Sequence, residues 1–341
     1  MDGQNELLKQ YFEADADSLN RLFQKSYSIS QKHFSNLIHF YVPGMVHYET
    51  SFYQAAADRF PSISVTGRAC HLNCDHCNGQ LLESMIPATT PQELLKVCTK
   101  IKDHGGRGCL ISGGSLSDGS VPLMEFIPMI KRVKQDLGLR VVVHTGLVDA
   151  ALAKALADTA VDAAMIDIIG SNDTIREVYH LDKDVGSFDR SLSLFEEYSI
   201  PTVPHILVGI HYGRVRGERQ ALEMVLKHHP AALVIIALAP LSKTKMEHIP
   251  PPTPLDVARV VLASRLMMPE TPLLLGCARP RGSHKVETDI LSMKAGVNGI
   301  AYPSGEAYEF AESLGLKVRF HEECCSLLWR DLTIEASCVD A

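Results

Sequence analysis

The amino-acid sequence predicts an α/β protein: a (β/α)8 TIM-type barrel with an N-terminal helical extension and a C-terminal tail. Three observations carry this. Short β-branched runs alternate with helix-length amphipathic segments, and such alternation implies parallel pairing because each crossover must return over the sheet. Most of the strand runs are apolar throughout, as strands covered on both faces are. There are eight of them, which favours a closed barrel over an open sheet.

Taken in order, residues 1–59 read as a mostly helical preface in which Asn5–Phe12 and Ser18–Phe23 are amphipathic. The barrel spans residues 60–315. Its strand candidates are Ile63–Gly67, Cys109–Gly113, Arg140–Thr145, Ala163–Ile169, Val203–Ile210, Leu233–Leu238, Leu273–Cys277 and Gly299–Tyr302. Between them the apolar spacing turns helical, as in Thr90–Asp103, Pro122–Leu137, Phe188–Tyr198, Glu218–His229 and Pro254–Met268. Glu306–Leu314 closes the barrel, and a tail covers residues 316–341 with Cys324 and Cys325 side by side.

Composition narrows the function. The chain has 341 residues, of which 46% are hydrophobic, enough for a sizeable core. A formal net charge of −7 with dispersed basic residues argues against a nucleic-acid surface. The first residues are polar and acidic, unlike a signal peptide. The longest apolar run, Ala231 to Leu241, is shorter than the roughly 20 residues a membrane helix needs. These features predict a soluble, cytoplasmic protein. Nine cysteines in a chain of this length point to metal binding or redox work rather than disulfide staples. Cys98, on the apolar face of a helical stretch, reads as core packing.

Three of those cysteines carry the chemistry. Cys70, Cys74 and Cys77 form a CxxxCxxC motif in the loop after the first barrel strand. A [4Fe–4S] cube normally takes four thiolates; three leave one iron open to bind a small molecule. Zinc is the alternative, since His71 and His76 lie among the cysteines, but structural zinc usually uses paired knuckles on small modules. Other polar segments end later strands: Ser112-Gly113-Gly114-Ser115, His144-Thr145-Gly146, Asp167, Gly209-Ile210-His211 and Cys277-Ala278-Arg279. In a barrel these all converge on the C-terminal mouth, where reactive groups sit.

The motif and its position resemble the radical S-adenosylmethionine (SAM) superfamily. The resemblance implies that Cys70, Cys74 and Cys77 hold a [4Fe–4S] cluster whose open iron binds SAM. Reductive cleavage of SAM would then give a 5′-deoxyadenosyl radical that abstracts hydrogen from an unactivated carbon. It also implies SAM contacts at Gly113, Gly114, Ser115 and Gly209 and at His76, which stands where the family usually has an aromatic residue. Ser115 replaces the family's carboxylate for the SAM amine. Asp167 and His144 are candidates for orienting substrate or ribose.

Later segments, among them Ala239–Thr244, Ser264–Pro269 and Ala295–Ile300, resemble the biotin synthase-like branch. The cysteines that hold the second cluster of biotin synthase correspond to Leu110, Val142 and Val203 here; only Arg279 matches, with Cys109 one position from the first. A different second cluster is open to Cys277, Cys324 and Cys325, with Ser326, Cys109 or a substrate atom as the fourth ligand; the alternative is an incidental cysteine pair. This set looks most like one subunit of the two-protein lipoyl synthases. That likeness implies sulfur insertion into an octanoyl chain on a carrier domain docked at the mouth, with a second synthase subunit as partner. The rival expectations are a radical SAM enzyme without sulfur transfer and a non-catalytic metal-binding scaffold.

Overall fold

The computed structural model of the protein describes residues 2–44, 48–56 and 58–339. Eleven strands form one sheet: β1 (Leu37–Tyr41), β2 (Ser62–Ser64), β3 (Ile86–Pro87), β4 (Gly108–Ser112), β5 (Arg140–His144), β6 (Ala163–Asp167), β7 (Thr202–Val208), β8 (Leu233–Ala237), β9 (Leu273–Leu275), β10 (Gly299–Ala301) and β11 (Lys317–His321). Their order is β11-β1-β10-β9-β8-β7-β6-β5-β4-β2-β3, and every pairing is parallel. All eight strands expected from the sequence are present and in sequential order. The sheet curls as a TIM-like α/β barrel, with the hydrogen-bonded ladder open between β3 and β11 among the described residues.

Three strands, β1, β3 and β11, extend this plan. β1 lies inside the segment expected to be a helical preface, and β11 lies in the tail. Each pairs along its length: His39 of β1 is opposite Gly299 of β10 and Arg319 of β11. The preface is therefore two helices, Asp2–Glu13 and Ala16–Phe34, followed by a strand of the sheet. Where the ladder is open, short contacts close the gap. Phe60 N–H donates to Pro43 O at 3.1 Å, and the Ala56 amide reaches the Glu322 carboxylate at 3.0 Å.

Helices cover the outer face with the predicted periodicity. Pro91–Asp103 starts at a capping box in which Thr90 and Glu93 satisfy each other's amides, and Pro254–Met267 repeats the device with Thr253 and Asp256. Cys98, fully buried on the first of these helices, packs against Cys109 of β4 with the sulfurs 3.9 Å apart. Cys109 thus points away from the barrel interior, and it is corrected from the candidate ligands of a second cluster.

The interior is a separate core. Val142, Val203, Val234, Leu274, Ala301 and Tyr41 point inward and are buried against Cys325, Leu327 and Leu328 of the tail. Each buried valine or leucine among them contributes roughly 1.5–3 kcal/mol. The short helix Cys325–Leu327 and the helix Leu328–Val339 plug the lower, N-terminal end of the barrel. Charges pin this plug to the strand bases. Glu323 pairs with Arg140 and, at 3.7 Å, with Arg107. Asp331 accepts from the Tyr41 hydroxyl at 2.7 Å, and Arg330 pairs with Asp162.

At the β1–β11 seam, His39 is fully buried with its Nδ1 2.8 Å from His321 Nε2. Burial, reinforced by His321 and Arg319, lowers its pKa to about 3. The folded state keeps this ring neutral while the unfolded chain takes up a proton below about pH 6.5, so stability is lost as pH falls from 6.5 toward 3. Between pH 7 and pH 5 this one group is expected to cost about 2 kcal/mol. In urea unfolding across that range, His39→Gln should show a correspondingly shallower pH slope; an unchanged slope would exclude the seam as the source.

Candidate active site at the barrel mouth

The loop after β2 brings three thiols together. Cys74 lies close enough to Cys70 and Cys77 to interact with both. The neighbouring Cys74 thiol, with help from His76, lowers the Cys77 pKa, while Cys77 and burial raise that of Cys74. A thiol whose pKa is lowered in this way favours the thiolate, the form that binds a metal. Asn73 and Asn78 turn the loop at φ of 47° and 46°, a left-handed conformation that asparagine tolerates better than most residues.

The glycine pair explains how the loop sits where it does. The Ser115 carbonyl accepts from His71 N–H at 2.8 Å, and Gly114 N–H donates to Thr66 Oγ1 at 2.7 Å. A Cβ on Gly114 would lie 2.0 Å from Ala69 O and 2.7 Å from Cys70 Cα. The missing side chain therefore makes room for the cysteine loop itself, a closer constraint than the ligand approach expected from the sequence. Gly209, at φ +75°, holds a left-handed turn packed on Pro252, and its N–H donates to Glu218 Oε1 at 2.7 Å. Burial of Glu218 raises its carboxyl pKa to about 7.

Asp75, between two of the cysteines and 5% exposed, is a clasp that sequence reasoning passed over. Its carboxylate accepts from His180 Nε2 at 2.6 Å, the Tyr212 hydroxyl at 2.9 Å and Lys245 Nζ at 2.8 Å. Three donors from three different loops hold one residue of the motif. Despite burial, they keep its pKa low. Nothing in the local sequence distinguishes Asp75 from a solvated loop acid, because its partners come from residues more than 100 positions away.

Beside the cysteines, His76 and Tyr179 form the upper wall with ring centroids 5.3 Å apart. His76 Nδ1 and the Tyr179 hydroxyl are buried without a hydrogen-bond partner. Three gathered thiols, a fourth position with no cysteine, and two orphaned polar atoms next to them fit an open-site [4Fe–4S] cluster and a polar cosubstrate.

Below the cysteines the barrel holds a chamber. Cys277 is solvent-accessible yet surrounded by protein, as a residue on an internal wall is. It interacts electrostatically with both Cys324 and Cys325, which the tail delivers from beneath. A hydrogen bond from Cys325, then Ser326 and His144, lowers the Cys324 pKa. The structure thus gathers the predicted Cys277, Cys324 and Cys325. β9 ends at Leu275, two residues short of the strand expected to reach Cys277, and Arg279 is buried in an ion pair with Asp289 at 2.8 Å and in bonds to the Gly276 and Tyr302 carbonyls. Its guanidinium is fully engaged. His144 lies 3.4 Å from Asp167, side by side on the chamber wall, and His205 joins them unanticipated.

The fold and site together define a parallel α/β barrel with a three-cysteine loop at its C-terminal mouth, an arrangement that suits an iron–sulfur cluster. Comparison with known proteins points the same way: the radical SAM superfamily model matches residues 64–218 of this chain. It is similar to the biotin synthase of Allorhizobium ampelinum, 25% identical over 255 residues, which cover 70% of this chain and 74% of that protein. To the biotin synthase of Synechococcus sp. strain CC9311 it is 26% identical over 250 residues, with the same coverage. Among solved structures, methylornithine synthase (PylB) superposes with a TM-score of 0.60 at 15% identity over 97% of this chain and 96% of that one. The hydrogenase maturase HydG from Carboxydothermus hydrogenoformans gives 0.63 at 15% identity over 94% and 80%. These superpositions speak for the fold. The superfamily implies a [4Fe–4S] cluster and SAM. Among the described residues, no helix is long and apolar enough to cross a membrane.

Two substitutions test the loop. Gly114→Ala should push the cysteine loop outward and cut iron retained after reconstitution at least tenfold, measured per folded chain; full iron content would show that the loop tolerates the clash. Asp75→Ala leaves His180 and Lys245 without their acceptor and is expected to cost about 1–3 kcal/mol, seen as a lower unfolding midpoint together with faster cluster loss in air. An unchanged midpoint would remove the clasp.

Proposed function

We propose that this protein reductively cleaves SAM and inserts sulfur into an unactivated C–H bond of a carrier-bound octanoyl chain, a step of lipoyl cofactor synthesis. The observation that carries the reading is the meeting of Cys277, Cys324 and Cys325 inside a barrel whose mouth bears Cys70, Cys74 and Cys77. Two groups of three thiols in one barrel suit two iron–sulfur clusters. When bound, the clusters and SAM supply the electron, the hydrogen abstraction and the inserted sulfur.

The chain's own residues bind, orient and exclude water. Cys70, Cys74 and Cys77 hold the first cluster, and His76, Gly113, Gly114, Ser115 and Gly209 line the SAM seat. Cys277, Cys324 and Cys325 hold the second. Its fourth ligand is Ser326 or a substrate atom, since Cys109 faces the outer core. Leu110, Leu207 and Ile236 give the chamber an apolar wall, suited to an acyl chain and to keeping water from a reactive carbon. The octanoylated carrier domain enters at the barrel mouth, where a second synthase subunit also has access. Similarity to the curated biotin synthases, sulfur-inserting in the reading of their branch, supports the reaction class but not the substrate.

The test is anaerobic turnover of an octanoyl-lysine peptide with SAM and a strong reductant, with and without a partner subunit, followed by mass spectrometry. The expected result is sulfur gain in the peptide, with about eight irons per chain, or four per cluster. About four irons, 5′-deoxyadenosine release and no sulfur gain would leave a radical SAM enzyme without sulfur transfer. No 5′-deoxyadenosine above background would leave a scaffold.

A further inference from the structure

A third group of ligands faces the chamber, and it contains no sulfur. His144 ends β5, Asp167 ends β6 and His205 lies on β7, so three adjacent strands each contribute one side chain at similar height. One ligand atom from each lies within 4.8 Å of the other two. His144 Nε2 is 3.4 Å from Asp167 Oδ1, and the two imidazole rings meet edge-on with centroids 5.9 Å apart. The side chains of His144 and Asp167 are 27% and 32% exposed although they sit within the barrel, so the group opens onto the chamber rather than into packed core.

The arrangement has a feature that a pair of hydrogen-bonding groups does not need. His205 Nδ1 donates to the Val203 carbonyl at 3.1 Å, which fixes the tautomer and leaves the Nε2 lone pair free. Ligating histidines are oriented by this kind of outer hydrogen bond. We propose that His144, Asp167 and His205 bind a divalent transition-metal ion, separate from the iron–sulfur clusters, with its remaining positions open to the chamber. Two imidazoles and one carboxylate are a borderline donor set suited to Zn(II) or Fe(II). Ligand atoms about 2.1 Å from one ion lie at most about 4.2 Å apart, so closing the site requires side-chain rotation only. The open positions take an oxygen or nitrogen donor of the molecule in the chamber, such as an amide or carboxylate, and so fix its polar end below the SAM seat. The site rests on the chamber alone and does not depend on sulfur insertion.

The test uses the full chain with its reconstituted iron–sulfur clusters in place, so that the cysteines are occupied, and Zn(II) as the probe. Anaerobic equilibrium dialysis should give one zinc per chain with iron and sulfide content unchanged. The zinc X-ray absorption edge should show nitrogen and oxygen neighbours only. The near-isosteric Asp167→Asn and the variant His205→Ala should each weaken binding at least tenfold while keeping wild-type iron content. If His205→Ala fails to fold, Asp167→Asn alone decides. Sulfur in the zinc shell, no zinc retained, or wild-type affinity in folded Asp167→Asn would each overturn the proposal.

Discussion

A parallel sheet curled on itself encloses more volume than short strands can fill. What occupies the lower half here is the segment Cys325–Leu328, which enters from beneath and packs on Val142, Val203, Val234 and Leu274. Everything above depends on that plug. Because the floor is solid, the upper half remains a chamber with polar and sulfur-bearing residues on its wall. Because the plug is pinned by Glu323, Arg330 and Asp331 to residues at the strand bases, Cys324 and Cys325 are delivered to fixed positions rather than left on a loose tail.

At the other end the same logic is met by absence of side chain. The cysteine loop lies so close to Gly114 that a single methyl would collide with its backbone, and Asp75 holds it from the opposite side with three donors. Wall and clasp together fix the three thiols before any ligand arrives, the preorganisation that a site performing demanding chemistry requires.

The eight inner strands were legible because their apolar runs answer to a local rule, burial on both faces. The meeting of Cys70, Cys74 and Cys77 was legible because their spacing keeps all three in one short loop. β1 and β11 were not. Both pair over long sequence separations, and β11 is only partly buried, so neither shows the continuous apolar run that marked the others. The same holds within the site. Asp75, Tyr179 and His205 owe their environments to partners brought in by the fold, and a single residue in a loop or strand carries no record of them. Cys109 misled for the opposite reason: sequence gave its strand but not its face, and one position of register separates the inner wall from the outer core.

The topology of the plug also orders assembly in time. Residues 324–332 are made after every strand, so during synthesis the barrel is a tube open at both ends. The mouth loop can take its place on that tube, whereas Cys324 and Cys325 reach theirs only when the segment that carries them passes back under the sheet. Folding of the two ends is therefore ordered by topology, with the mouth first and the floor last.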